Sequence, residues 1–127
     1  MAGEYVEVAW EQSGLRPLPE LAAAWPGILA TIDALEIDGR TPFEGLTPRV
    51  RYLLGVHAAA AWTLGATQRA PMSWQDRVVA YDTIADEQAT AGHVARTLRG
   101  GSQDYARGVA RWMYFLLGFV DDLDLES

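Results

Sequence analysis

"TPRVRYLLGVHAAAAWTLGA", running from Thr47 to Ala66, is the stretch on which the fold turns. Thr is a favoured helix N-cap, and Pro48 follows at the first helical position, where a missing N–H costs nothing. The pattern predicts a helix from there to about Ala66. It is apolar almost all round. Leu53, Val56, Ala60 and Leu64 form one face, and Gly55, Ala59, Trp62 and Ala66 form another. A helix lying on a protein surface keeps a polar stripe, and this one has none after Arg51, so it must be covered on several sides. The small residues Gly55 and Ala59, at i and i+4, allow another helix to approach closely. Either the N-terminal arm or a second copy of the chain is expected over it, and a two-fold homodimer is the commonest way to close such a surface.

Upstream, Leu21, Trp25, Ile28, Ile32 and Leu35 recur at alternating spacings of 4 and 3, which stacks them on one helical face over about Pro19 to Leu35. Pro26-Gly27 interrupts that stretch and either kinks one helix or starts a second. Residues 1–18 form an arm and loop. The alternation of Val6, Val8 and Trp10 in the arm fits an extended segment or a short helix, and "GLRPLP" ends either. Downstream, Ser73 with Asp76 resembles a capping box ahead of a third helix, Trp74 to Arg99, which Gly100-Gly101 stops. Ser102 then caps a fourth, reaching about Val120, where helix four adds the uncharged run "WMYFLLGFV". Residues 121–127 are an acidic tail, expected to fray because carboxylates oppose the dipole at a helix C-terminus. The expectation is all-α: one domain over residues 1–127, a mostly antiparallel bundle of four main helices with an N-terminal arm.

Composition removes much chemistry. The chain has 127 residues and a formal charge of −7. That charge argues against nucleic acid, and the lack of a polybasic run argues against an anionic membrane surface. All ten positive residues are Arg, as coding bias in a GC-rich, bacterial genome produces. Without Lys there is no Schiff base or P-loop lysine. Without Cys there is no thiolate, thiolate zinc site or disulfide. "MAGEYVEVAWEQ" lacks the basic and apolar regions of a secretory signal. The uncharged stretch from Tyr52 to Gln68 falls short of the roughly 20 apolar residues of a membrane span, and the cytoplasm is the expected location.

Named catalytic motifs are also missing. The residues three before His57 and His93 are Leu54 and Thr90, so the Glu-x-x-His of di-metal bundles is absent. There is no H-E-x-x-H, Gly-rich phosphate loop or G-x-S-x-G. No metal site and no cofactor are expected. Asp82, Asp86 and His93 share one flank of the third helix with Gln75, while Val78, Tyr81, Ile84, Ala85, Gln88, Gly92, Ala95 and Leu98 should face the core. Asp86 and His93 are seven residues apart, about 10 Å along the axis, too far for one ion, so the stripe reads as a solvated flank. His57 sits in the uncharged helix and should be partly buried, neutral and held by a neighbouring polar group. Arg96, Arg99, Arg107 and Arg111 bracket Gly100-Gly101, with Asp104 the one acid between them. The first two complement a helix dipole, and the set can also form a small anion pocket at the bundle end.

Ten Tyr and Trp are a heavy aromatic load for this length, and such residues fill cores or line organic-ligand pockets. The expected function is contact with a protein partner, above all a homodimer. The alternative is binding of a small organic ligand in an aromatic-lined cavity, with His57, Trp62, Tyr81, Asp82, Asp86 and His93 as candidate residues. A third reading is a small acid–base or metal-dependent enzyme using His57 with the Asp82/Asp86/His93 stripe.

Overall fold

The computed structural model describes residues 15–123 and Leu125. Four helices carry the fold: α1 (Leu18–Ala34), α2 (Pro48–Thr63), α3 (Tyr81–Thr97) and α4 (Gly101–Leu116). A single 3-10 turn, Phe43–Gly45, precedes α2. Among the described residues there is no strand, only an isolated antiparallel bridge between Arg69 and Asp76. The all-α bundle is therefore as expected. The arm over residues 1–14 lies outside the described residues.

α1 is one helix with Pro26 inside it, which answers the question that Pro26-Gly27 raised. Its stack survives, with Leu21 and Ile28 fully buried and Trp25, Ile32 and Leu35 packed against the core. α2 starts as its sequence signals, the Thr47 hydroxyl accepting the Val50 N–H at 3.2 Å. It ends earlier than expected, at Thr63, because Gly65 adopts φ +83°. That left-handed residue lets the Gly65 and Ala66 N–H groups return to Trp62 O and Ala61 O, satisfying the last carbonyls. Gly118, at φ +81°, closes α4 the same way, so that helix stops at Leu116 rather than near Val120.

The third helix corrects the sequence reading. It begins at Tyr81, and residues 64–80 are a long irregular connection rather than a short turn. Ser73 and Asp76 make no capping box. Trp74 instead sits at φ +60°, which no helix accommodates, and the Thr83 hydroxyl accepts the Ala80 N–H at the true helix start. The buried face of α3 is correspondingly rotated: Ile84, Glu87, Ala91 and Gly92 point inward, while Val78, Tyr81 and Leu98 are exposed. Ser102 does not cap α4 either. Gly100, at φ +78°, occupies that position.

α1 and α2 pack antiparallel, Ala22 near Leu64 and Trp25 against His57. α3 and α4 form the second antiparallel pair across the tight Leu98–Gly100 connection. Between the pairs, α2 and α4 run in the same sense. Arg51 bonds Asp104 near both N-termini, and Thr63 accepts from the Trp112 indole near both C-termini, at 2.8 Å each. They cross on glycine. A Cβ at Gly55 would lie 2.0 Å from Tyr105 O, and one at Gly108 would lie 1.9 Å from Tyr52 O. The close-approaching helix that Gly55 foretells is thus α4 of the same chain. Trp62 and Trp112, both fully buried, fill the space beside this crossing, and α2 buries most of its apolar residues against α1 and α4.

Candidate functional site

The second half of that connection is held by one carboxylate. Glu87 is almost completely buried, and its Oε1 accepts the Met72 and Ser73 N–H groups at 2.8 and 3.0 Å. Its Oε2 accepts from Arg77 at 2.9 Å, and Arg77 also reaches Asp86 at 3.1 Å. A charged acceptor with three donors is satisfied in a way that a lone buried carboxylate is not. The loop is further tied down by the Trp62 indole, which donates to Arg77 O at 3.0 Å, and by the Tyr105 hydroxyl, which donates to Pro71 O at 2.9 Å.

So anchored, the loop holds Trp74 over Tyr105, the rings stacked with centroids 5.9 Å apart and planes 17° from parallel. Phe43 meets the same tyrosine edge-on at 6.2 Å. Phe43 reaches that place because residue 101 is glycine: a Cβ there would lie 2.8 Å from the Phe43 ring. The 3-10 turn behind it is fixed by Arg51, which donates to Glu44 O and Leu46 O while pairing with Asp104.

These three aromatic rings border a groove of about 620 Å³ between α2, α3 and the loop. Leu54, Ala58, Met72, Val94 and Leu98 complete its apolar lining, and Ser102 adds one hydroxyl. The volume falls within the range of small-molecule sites. Tyr105 is the one titratable residue among those lining it, and burial, aided by the nearby Glu87 charge, pushes its phenol upward and keeps it neutral. The groove therefore offers apolar contact and shape but no acid–base pair. A side pocket of about 290 Å³ shares Ala58, Trp74 and Tyr105 with it and adds Trp25 and His57. Partial burial lowers the His57 pKa. Its ring stacks on Trp25 at 5.2 Å, so an indole face rather than a polar group supports it.

Of the residues singled out from sequence, only His57 comes to this region. Trp62 is core and serves the loop through its indole N–H. Tyr81 is exposed at the start of α3. Asp82 is exposed and accepts the Thr83 N–H, Asp86 is the outer partner of Arg77, and His93 is exposed. Asp82, Asp86 and His93 lie on a solvated flank, away from His57, and among the described residues no group of three His, Cys, Asp or Glu is placed to hold a metal ion. Sequence reasoning passed over Phe43, Trp74, Tyr105 and Glu87. For Glu87 a signal existed: it lies three after Ile84 and four before Ala91, on the face those two bury. No described helix is long and apolar enough to cross a membrane. No protein-family model, curated protein or solved structure matches the chain.

Proposed function

We propose that the protein binds a small, uncharged, apolar organic molecule in the groove between Phe43, Trp74 and Tyr105. The observation that carries this reading is the preformed groove of about 620 Å³ whose wall holds a tryptophan in a left-handed backbone conformation. A bulky residue at positive φ costs about 1–3 kcal/mol and persists where surrounding contacts over-determine it, as at ligand clamps. Here the contacts are the Tyr105 and Glu87 hydrogen bonds to residues 71–73 before it and the Trp62 and Glu87 bonds to Arg77 after it. The lining carries no formal charge, so a charged ligand would lose its hydration without compensation. Saturation-transfer NMR with 2-naphthol as probe should show binding that Val94→Trp, which fills the groove, abolishes. Equal transfer in wild type and Val94→Trp would refute the assignment.

A second reading is contact with another copy of the chain through the same open side. The exposure of Trp74, Leu98 and Phe43, all on the groove, supports it. α2 adds only Leu54 and Ala58 to that side, since most of its apolar residues are buried against α1 and α4. Sedimentation equilibrium separates the two readings. A dimer that Trp74→Ser converts to monomer favours association, and a monomer that still binds 2-naphthol favours the ligand site.

A further inference from the structure

A different depression, sharing no residue with the groove, collects positive charge. Its volume is about 290 Å³, and Arg96 of α3 with Arg107 and Arg111 of α4 line it together with Tyr52 and Tyr114. Arg107 and Arg111 are four apart and so share a face of α4. Arg96 reaches them because residue 92 is glycine: a Cβ there would lie 3.1 Å from Arg96 Nη1. The acid nearest in sequence is already used, because Asp104 pairs with Arg51. Among the described residues, none of the three arginines pairs with a carboxylate, although the chain carries 17 acids against 10 bases. Arg107 lies over the Tyr52 ring at 5.9 Å, and Arg111 donates through Nη2 to Asp122 O. Arg111 Nε is buried with no hydrogen-bond partner among the described residues. A buried donor left unsatisfied is costly, and a guanidinium N–H is completed best by an oxyanion.

We propose that this depression is a binding site for a small doubly charged oxyanion, a phosphate monoester or a dicarboxylate. Three guanidinium groups in one concave site are over-charged for a monoanion, and each presents a planar fork matched to a phosphate or carboxylate edge. The flat Tyr52 and Tyr114 rings give the remainder of the ligand apolar walls. The site differs from the bundle-end pocket that the arginine spacing suggests, because Arg99 takes no part and α2 supplies one wall.

Calorimetric titration of the full chain at low salt tests this, with inorganic phosphate and succinate as separate probes. One saturable site is expected, preferring one probe and thereby naming the anion class. Arg107→Gln and Arg111→Gln should each weaken binding about tenfold or more. Arg107 is exposed, so its substitution leaves the fold intact. Gly92→Ala is the sharper control: it should displace the Arg96 guanidinium and weaken binding while leaving the melting temperature unchanged or higher, since Ala favours helix over Gly. Trp74→Ala, on the separate groove, should bind as wild type. No saturable binding of either probe, or unchanged affinity in both arginine variants, overturns the proposal.

Discussion

The crossing of α2 and α4 and the packing of α3 with its preceding loop solve the same problem by opposite means. At the crossing, glycine lets two backbones touch, two tryptophans and a threonine close the space beside it, and the one ion pair, Arg51–Asp104, sits at the N-terminal end of the contact. On the other side, the contact is made through a buried carboxylate, a guanidinium and two loop amides. The first arrangement leaves no room for even a methyl group at either glycine. The second is directional but open: it holds a loop at a few points and leaves a groove beside it. The candidate ligand site lies on the second side, where the cost of empty space falls on a loop rather than on the core.

Substitution at the crossing should break this contrast most severely. Gly108→Ala would drive a methyl group into the Tyr52 carbonyl, forcing the helices apart, and should cost more than about 4 kcal/mol in urea unfolding. A loss below about 1 kcal/mol would show that the crossing gives way easily, and the two regions would then not differ as described.

A smaller effect is expected at the carboxylate. Glu87→Gln keeps the shape but removes the charge that Arg77 and the two amides share, for a loss of about 2–3 kcal/mol. Hydrogen exchange should then quicken at Met72 and Ser73 well before the amides of α2 respond. Simultaneous quickening in both places would mean that loop and core open as one unit.

The smallest effect is electrostatic. His57 is held below its ordinary pKa of 6.5 by desolvation, so its folded form binds a proton less readily than its unfolded form. Stability should therefore fall as pH drops from about 6.5 through the lower folded value, and be unaffected by this residue well above about 6.5. His57→Gln should flatten that part of the profile. A His57 pKa at or above 6.5, measured by NMR titration, would contradict it.

How much of this could be read from the chain follows from the range of the interactions. The start of α2 is a local matter of Thr47 and Pro48, and the α1 stack is a periodicity within one helix, so both were legible. The boundary of α3 was not, because Ser73 and Asp76 have the residue types of a capping box while Trp74 between them is held out of helix by Glu87, thirteen residues on. The groove was hidden for the same reason. Phe43, Trp74 and Tyr105 come from three separate segments, and nothing in their spacing announces that Gly101 and Glu87 bring them together. The buried face of α3 differs from the one that apolar periodicity marks because Glu87, which no apolar pattern includes, is drawn inward by Arg77 and the Met72 and Ser73 amides.

The indoles of this chain also differ in what surrounds them, and that makes one of them an optical reporter. Trp62 and Trp112 have no solvent contact, whereas Trp74 is 59% exposed. A neutral quencher such as acrylamide should reach the hydrated Trp74 indole and spare the blue emission of the two enclosed ones, and the difference spectrum between wild type and Trp74→Phe isolates its share. Any molecule that settles against Trp74 would shield it and shift the spectrum to shorter wavelength. The strained residue on the groove wall thus carries its own readout of occupancy, with no label attached.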